Sequence, residues 1–252
     1  KLIDEDKANK YKFNNPRKKR QINLIEELLK NKTVNKKGII KSVYEPLINE
    51  GIISILKEKK YRINKTSDNV NKVLTPKQDA VKKQIEASLG HYETFLLHGV
   101  TGSGKTEIYI KLINDTLNSG KNVIMLVPEI SLTPQIVNRF LSEFGSRVAV
   151  LHSALSEGEK YDEYRRIVNK EVNIVVGARS AVFAPLLNIG LIIIDECSSP
   201  SFKQDVNPKY NAIDVSFERA KTHNALVLMG SATPLLEQFA RGEKGVFELV
   251  KL

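Results

Sequence analysis

A glycine-rich loop is the strongest chemical signal in the sequence. Residues 99–106 have the sequence GVTGSGKT, which matches the pattern G-x-x-x-x-G-K-[ST] in full. Glycines let such a loop wrap so that its backbone N–H groups point at phosphate, and the following helix adds the positive end of its dipole. Lys105 is expected to reach the β- and γ-phosphates of a nucleoside triphosphate, and the Thr106 hydroxyl to bind Mg²⁺. A glycine-rich turn without a ligand is the alternative. The predicted nucleotide-binding residues here are Thr101, Gly102, Ser103, Gly104, Lys105 and Thr106.

Two acidic residues follow an apolar run about 90 residues after this loop. Asp195 comes directly after Leu191–Ile194, and a carboxylate at the carboxyl end of such a strand can hold Mg²⁺. Glu196 faces differently and is a candidate general base that polarises the attacking water. The alternative is an exposed strand end without a catalytic role. The sequence predicts Lys105, Asp195 and Glu196 as catalytic residues, with Thr106 and Asp195 as the Mg²⁺ ligands.

A third short motif follows another apolar run. Residues 229–234, MGSATP, place the hydroxyls of Ser231 and Thr233 after a strand that is predicted to neighbour the strand of the acidic pair. From there the two hydroxyls are expected to hydrogen-bond Asp195 or Glu196 and to sense the state of the nucleotide. The tripeptide Ser-Ala-Thr has little specificity by itself, so its position after the other two motifs is what matters.

The elements that must position these residues form a parallel sheet. Short apolar runs alternate with helical stretches from Leu74 onward, and they are continuous rather than alternating with polar residues. Continuous runs are typical of strands buried on both faces, as in α/β folds with helices on both sides of the sheet. The predicted strands are Thr94–Leu97, Asn122–Val127, Arg147–Leu151, Val172–Val176, Leu191–Ile194 and Ala225–Met229.

A different pattern precedes this sheet. Helices are predicted over residues 17–31, 35–42 and 43–50, followed by a strand over 52–56, a basic turn over 57–60 and a second strand over 61–63. Three short helices and a hairpin are the order of a winged helix, which can contact DNA or serve as a protein-contact module. The expected domains are a tail or linker over 1–16, a winged-helix domain over 17–66, a linker over 67–74 and the α/β domain over 75–252.

The positive charge is concentrated in this first part. The 252 residues carry a net charge of +10; residues 1–74 contain 16 Lys and 3 Arg against 9 acidic residues, and residues 75–252 contain 13 Lys and 7 Arg against 20. This asymmetry indicates an anionic partner, nucleic acid first and a membrane surface second. A lysine-rich solvated surface is the alternative.

The cysteine count and the hydropathy indicate the compartment. The single Cys197 excludes an internal disulfide, and no apolar run approaches the roughly 18 residues that span a bilayer, so a cytoplasmic protein is expected.

The three motifs, in this order, resemble the first RecA-like lobe of superfamily 2 helicases. The stretches HGVTGSGKTEIYI, LVPEISLTPQI, LHSALSEGEK, VGARSAVFAPL and GSATPLLE narrow the resemblance to the bacterial replication-restart helicases, the primosomal N′ family. It covers residues 75–252 and implies a RecA-like P-loop sheet. The implied activity is that of an ATP-dependent 3′→5′ DNA helicase that acts at stalled or forked DNA, restarts replication and begins primosome assembly. The chain is expected to be a fragment that lacks the second helicase lobe and the zinc-binding region, and to be weakly active or inactive alone.

The resemblance implies further site residues and partners. Gln78 corresponds to the glutamine that recognises adenine. Ser131 and Thr133 belong to a motif that holds the phosphates of a single strand, although both are equally good helix caps. Arg179 is the charged member of a second DNA motif, or pairs with an acid, and Lys203 lies in the family's Ser-Tyr-Lys-Gln loop. The implied cofactors are ATP and Mg²⁺, with zinc only in the full-length family. The implied partners are forked and single-stranded DNA, single-strand binding protein and primosome proteins, with no membrane; a monomer is expected.

The sequence departs from the family at one informative place. The family pattern DEEH is DECS here, so Cys197 and Ser198 replace an acid and a histidine that help couple hydrolysis to DNA. This puts the efficiency of DNA-coupled hydrolysis in question. The departure also favours one rival function, a scaffold module that binds nucleotide and DNA without hydrolysis. A second alternative, independent of it, is a P-loop DNA translocase of the restriction type or an RNA helicase.

Overall fold

The computed structural model describes residues 1–55 and 73–252. These residues belong to two units, one at each end of the chain, and each is described by itself. The predicted turn over 57–60, the strand over 61–63 and most of the linker over 67–74 lie outside the described residues. The winged helix therefore stays a prediction.

The N-terminal unit contains three helices within residues 1–55. They are α1 (Glu5–Asn14), α2 (Lys19–Asn31) and α3 (Lys41–Asn49). Helix α2 confirms the predicted helix over 17–31, and α3 contains most of the predicted helix over 43–50. The predicted helix over 35–42 is wrong because residues 35–40 form a turn and irregular backbone, and α3 begins only at Lys41.

Residues 1–16 are not the expected tail. Asp4 begins α1 by accepting a hydrogen bond from the Lys7 amide at 2.9 Å, and Ala8 and Tyr11 are buried in the same core as Ile25 of α2. Only two residues of this charged helix are buried, which is why the apolar periodicity of a helix did not show in the sequence. The expected strand over 52–56 is, in its described part, a single antiparallel bridge between Leu2 and Ile53.

The larger unit is built on a seven-stranded parallel sheet. The strands are β1 (Thr94–His98), β2 (Asn122–Leu126), β3 (Val148–Leu151), β4 (Ile174–Gly177), β5 (Ile189–Ile194), β6 (Lys203–Gln204), β7 (Tyr210–Asn211), β8 (Leu226–Ser231) and β9 (Glu248–Lys251). Their order in the sheet is β3-β4-β2-β5-β8-β1-β9, and β6 and β7 form a separate antiparallel pair. All six predicted strands are confirmed, with boundaries shifted by one or two residues; β9 and the β6–β7 pair were missed.

Helices cover both faces of this sheet. Alternate residues of β5 enter two different cores, with Leu191 and Ile193 in one and Ile192 and Ile194 in the other. The helices are α4 (Pro76–Glu86), α5 (Lys105–Asn118), α6 (Pro134–Phe144), α7 (Glu157–Val168), α8 (Ala212–His223) and α9 (Leu236–Glu243). The first core also receives residues of α4, α5 and α6, and the second receives residues of α7 and α8. This confirms the expected α/β class with a covered parallel sheet.

The strand order decides which loops meet. Strand β5 is central, β8 lies beside it and β1 lies beside β8, so the loops that follow these three strands share one edge of the sheet. In open parallel sheets, ligands bind at the carboxyl ends of the strands. The phosphate loop follows β1, the acidic pair follows β5, and the Ser-Ala-Thr motif begins at Ser231, the last residue of β8. No helix among the described residues has both the length and the apolar character needed to cross a bilayer.

The burial of α1 yields a prediction that separates a core helix from a tail. Tyr11→Ala should destabilise the N-terminal unit by about 3 kcal/mol, because truncation of a buried aromatic side chain leaves a cavity. Phe13→Ala is the matched control, since Phe13 lies on the same helix and is 87% exposed. Hydrogen exchange of the α2 amides and chemical denaturation measure the difference. Equal effects of the two substitutions would contradict the packing of α1.

Candidate functional site

The glycine-rich loop has an open cradle of backbone donors. Gly102 and Gly104 adopt left-handed backbone angles, with φ of +80° and +89°, and Gly104 begins α5 without a side-chain cap. Among the described residues, the amides of Gly102, Gly104, Lys105 and Thr106 donate to no partner. A helix N-terminus with free amides is a ready-made anion site, so the loop is shaped for phosphate.

Two polar side chains complete this loop. Lys105 is 7% exposed; its Nζ donates to the carbonyl oxygens of Gly99 at 2.7 Å and Val100 at 3.4 Å. The Ser103 hydroxyl is buried and has no hydrogen-bond partner among the described residues. An unsatisfied buried hydroxyl is rare in folded proteins and fits a loop that is completed by a ligand oxygen. The residues present therefore fit a bound phosphate group.

The acidic pair lies at the end of the central strand. Asp195 is half-buried, and its Oδ1 accepts a hydrogen bond from the Tyr109 hydroxyl at 3.0 Å. Removal from water raises the pKa of Asp195, although the Tyr109 hydrogen bond lowers it, and the charge of Glu196 raises it further. Burial also raises the pKa of Tyr109 well above its usual range. The phenol therefore stays protonated and acts as the hydrogen-bond donor to the Asp195 carboxylate.

Glu196 turns away from the strand. Its φ is +47°, a left-handed conformation that is uncommon for a residue with a side chain and occurs often at functional sites. Its Oε1 lies 3.9 Å from Lys105 Nζ, and its side chain is 37% exposed. The structure thus brings Lys105, Asp195 and Glu196 together, with Asp195 directed into the protein and Glu196 toward solvent.

The oxygen donors near the loop fit Mg²⁺. Thr106 in the first turn of α5 and Asp195 after β5 supply a hydroxyl and a carboxylate, which are the hard oxygen ligands that Mg²⁺ takes. Within residues 1–55 and 73–252, no group of three or more His, Cys, Asp or Glu side chains is placed to hold a metal. Mg²⁺ usually keeps water and substrate phosphates as further ligands, so two protein oxygens are sufficient.

Ser231 contacts a different residue from the one expected. Its hydroxyl lies 3.0 Å from the hydroxyl of Ser198 and accepts the backbone amide of Thr233 at 3.1 Å. None of the hydrogen bonds of Ser231 and Thr233 among the described residues reaches Asp195 or Glu196, and their expected role in sensing the nucleotide stays a prediction. The connection between the two motifs is made instead through Ser198, one of the two residues at which the sequence departs from DEEH.

Both backbone polar groups of Cys197, next to the acidic pair Asp195 and Glu196, are hydrogen-bonded. Its amide donates to the Gly230 carbonyl oxygen at 2.9 Å, and its own carbonyl oxygen accepts Gln238 Nε2 at 3.2 Å. Burial, together with the charges of Glu196 and Asp195, raises the pKa of Cys197 to about 12, so the thiol stays neutral. Gln238 lies in the first turn of α9, and its hydrogen bond connects that helix to residues 195–198, DECS, which we call the acidic box. Nothing in the sequence singled it out.

Gln78 is next to the phosphate loop but is engaged by the protein. Its Oε1 accepts the Thr75 amide at 2.9 Å and its Nε2 donates to the Ser103 carbonyl oxygen at 2.9 Å. The first bond is half of a capping box that begins α4. The second bond explains why residue 104 is a glycine, since a Cβ at that position would lie 2.1 Å from Gln78 Nε2. Recognition of adenine by Gln78 stays a prediction.

The residues expected to bind DNA have varied surroundings. Thr133 caps α6, and its hydroxyl accepts the Ile136 amide at 3.5 Å, which is the capping alternative. Ser131 ends a short 3₁₀ turn. Arg179 donates to the carbonyl oxygens of Ser201 at 3.2 Å and Lys203 at 2.8 Å, so it holds a loop rather than pairing with an acid. Lys203 itself projects into solvent, with its nearest carboxylate oxygen, on Asp205, at 3.7 Å.

A cleft of about 660 Å³ lies at the carboxyl ends of β3 and β4. Of the four expected DNA-binding residues, Arg179 lines it. Two tyrosines on the same side of α7, Tyr161 and Tyr164, also line the cleft, and they are 62% and 53% exposed. The sequence motifs do not include these tyrosines. Their spacing of three residues on a charged helix was the one feature of the sequence that could have indicated the cleft. His152 and Lys160 line the same cleft.

Comparison with known proteins shows that the chain is similar to helicases. Residues 75–240 match the model of the DEAD/DEAH box helicase family. Replication restart protein PriA of Bacillus subtilis is 50% identical over 223 residues, which cover 88% of this chain and 27% of that protein. Replication restart protein PriA of Synechocystis sp. is 44% identical over 202 residues, which cover 79% of this chain and 24% of that protein. The resemblance to replication-restart helicases is thus confirmed, and the chain spans about a quarter of the length of these relatives.

Solved structures show the same fold. The structure of RecG bound to a three-way DNA junction matches 71% of this chain and 24% of that chain, with a TM-score of 0.50 and 23% identity. The Hef helicase domain of Pyrococcus furiosus matches 69% of this chain and 37% of that chain, with a TM-score of 0.50 and 20% identity. Both similarities concern the RecA-like fold.

The raised pKa of Asp195 leads to a prediction about stability. The folded chain disfavours the ionised carboxylate, so wild-type stability should rise as the pH falls through the raised pKa toward the usual range of Asp. Asp195→Asn removes this penalty and should raise the melting temperature at pH 7.5 in EDTA, and the difference from wild type should shrink at acidic pH. Asp214→Asn, at an exposed position in the first turn of α8, is the control. A lower melting temperature for Asp195→Asn at pH 7.5 would contradict the penalty.

Proposed function

The chain belongs to the DEAD/DEAH box helicase family, and from this membership we propose that residues 75–252 are the first RecA-like lobe of an ATP-dependent 3′→5′ DNA helicase that acts in replication restart. The single observation that supports this most strongly is the convergence of Lys105, Asp195 and Glu196 at one edge of the sheet, in a chain that is 50% identical to a replication restart protein. The same relatives favour this function over a restriction translocase or an RNA helicase.

The loop residues bind the triphosphate. The free amides of Gly102, Gly104, Lys105 and Thr106 and the unpaired Ser103 hydroxyl donate to phosphate oxygens. Lys105 exchanges its bonds to two carbonyl oxygens of the loop for bonds to phosphate, which are stronger because both partners are charged. Thr106 and Asp195 hold Mg²⁺, which when bound neutralises charge that develops on the phosphate oxygens.

Glu196 orients the attacking water. Its left-handed backbone and its partial exposure turn its carboxylate toward solvent, whereas Asp195 is held from behind by Tyr109. A general base must reach the nucleophile, and the exposed acid of the pair is the one that can. Helicases of this kind complete the nucleotide site with an arginine supplied from a second lobe.

DNA contacts arise from two parts of the chain. In the larger unit, the cleft lined by Arg179, Tyr161 and Tyr164 offers a cation and two exposed aromatic faces, which suit a single strand with unstacked bases. The N-terminal part, with all the excess positive charge, docks on duplex or forked DNA through phosphates. Single-strand binding protein and primosome proteins are the partners that replication restart implies, and this role places the protein in the cytoplasm.

Nucleotide binding gives the direct test of the phosphate loop. Lys105→Ala should weaken the affinity for a fluorescent ATP analogue by about 10- to 100-fold, because a charged hydrogen-bond partner of the phosphates is lost. Lys221→Ala, which removes an exposed lysine on α8, should leave the affinity unchanged. Fluorescence titration at fixed Mg²⁺ measures both. An affinity that Lys105→Ala leaves unchanged would contradict the proposed nucleotide site.

DNA binding gives a second test, through salt. Lys203→Ala should weaken binding to single-stranded DNA and reduce the slope of log affinity against log salt by about 0.7, the value expected for one lost phosphate contact. Lys221→Ala is again the control, because Lys221 pairs with Glu218 on α8. Fluorescence anisotropy with a labelled oligonucleotide at several salt concentrations gives the slopes. If Lys203→Ala and Lys221→Ala have the same slope, Lys203 does not contact phosphate.

A further inference from the structure

A buried tyrosine connects the phosphate-loop helix to the acidic box. Tyr109 lies on α5, one helical turn after Lys105, and is fully buried. Its hydroxyl donates to Asp195 Oδ1 at 3.0 Å. Residues four apart on a helix face the same way, so a single face of α5 carries both the lysine and the phenol. The roles proposed above for Lys105, Thr106 and Asp195 do not require a tyrosine at this position.

The neighbouring strand makes room for the phenol. A Cβ built on Gly230 of β8 would lie 1.8 Å from the Tyr109 hydroxyl, 3.0 Å from Tyr109 Cζ and 3.4 Å from Asp195 Oδ1. Gly230 does not have a left-handed backbone, so space rather than conformation requires a glycine here. The phenol therefore sits between α5, β5 and β8, the elements that carry the three sequence motifs.

This packing restricts the Asp195 carboxylate. The χ2 torsion of an aspartate is broad, so the backbone alone does not fix where the two carboxylate oxygens point. A hydrogen bond from a side chain that is itself fully buried does fix them, because the ring of Tyr109 cannot move within a packed core. With Oδ1 held by the phenol, the plane of the Asp195 carboxylate is fixed.

We propose that Tyr109 is a positioning residue that orients the Asp195 carboxylate for Mg²⁺ and that keeps it in register with Thr106 on the same helix as the phenol. This inference rests on the proposed nucleotide site. Residues that hydrogen-bond a metal ligand commonly alter metal affinity by tenfold or more when they are removed. Because Thr106 and Tyr109 share α5, both proposed Mg²⁺ ligands are anchored to one rigid element.

A magnesium titration tests the role of the phenol. Tyr109→Phe keeps the ring and removes only the hydroxyl. In the presence of a fluorescent ADP analogue, the Mg²⁺ concentration at half-maximal signal should rise about tenfold. The affinity for the same analogue in EDTA should be unchanged, and this split separates positioning of Asp195 from general damage to the loop. Tyr11→Phe is the matched control, since it also removes a tyrosine hydroxyl that donates to a side-chain oxygen, that of Gln21, at 2.7 Å.

The outcomes separate this inference from the proposed function. If the wild-type chain binds the analogue with a clear Mg²⁺ dependence and Tyr109→Phe has the same midpoint, the positioning role is overturned. If the wild-type chain does not bind the analogue at all, the proposed nucleotide site is wrong and the positioning role falls with it. A tenfold shift in Tyr109→Phe but not in Tyr11→Phe supports the inference.

A double-mutant cycle tests the packing independently of any ligand. Gly230→Ala should lower the melting temperature, because the added methyl group overlaps the Tyr109 hydroxyl. Tyr109→Phe removes that hydroxyl and leaves ring carbon Cζ at 3.0 Å from the new Cβ. Gly230→Ala should therefore cost clearly less in the Tyr109→Phe background than in the wild type. Additive losses would show that the phenol does not occupy the space above Gly230, and this would overturn the inference.

Discussion

The candidate site of the larger unit is arranged around a carboxylate, that of Asp195, which is held at the end of the central strand with little water around it. Removal of an ionised group from water is costly, and the cost is tolerated only where partners or hydrogen bonds offset it. Asp195 has the Tyr109 phenol on one side, and Lys105 also attracts its charge. The raised pKa shows that these partners offset the cost only in part. A bound divalent cation would supply the rest, so the geometry that makes the carboxylate unfavourable in the free chain is the one that favours the metal.

The strand order explains how this carboxylate meets its partners. Strands β5, β8 and β1 are adjacent, so the acidic box, the Ser-Ala-Thr motif and the phosphate loop lie at one edge although they are far apart in the chain. Small groups then connect them: the hydroxyls of Ser198 and Ser231 lie 3.0 Å apart, and the Cys197 amide donates to Gly230 at 2.9 Å. Ser198 thus makes a hydrogen bond to the Ser-Ala-Thr motif.

The sequence predicted what depends on local pattern, and it failed where partners come from distant parts of the chain. The phosphate loop and six buried strands have strong local signals, glycine spacing and continuous aliphatic runs. Strand β9 has exposed charged residues at both of its ends and therefore no such signal. It is an edge strand that pairs with β1 alone among the described strands. Arg179, expected to bind DNA or an acid, takes two carbonyl oxygens of a loop more than 20 residues away. Tyr109 and Gln238 have roles that only the folded chain reveals.

The distribution of charge gives the two units different ranges of action. Residues 75–252 contain as many acidic as basic residues, so phosphate recognition there rests on backbone amides, a helix end and a few placed side chains, all of which act at contact distance. The excess of basic residues before residue 75 acts over a Debye length of about 8 Å at physiological salt and needs no exact geometry. If the proposed function holds, salt-sensitive docking on DNA and metal-dependent nucleotide binding depend on different residues, so a change in one leaves the other in place.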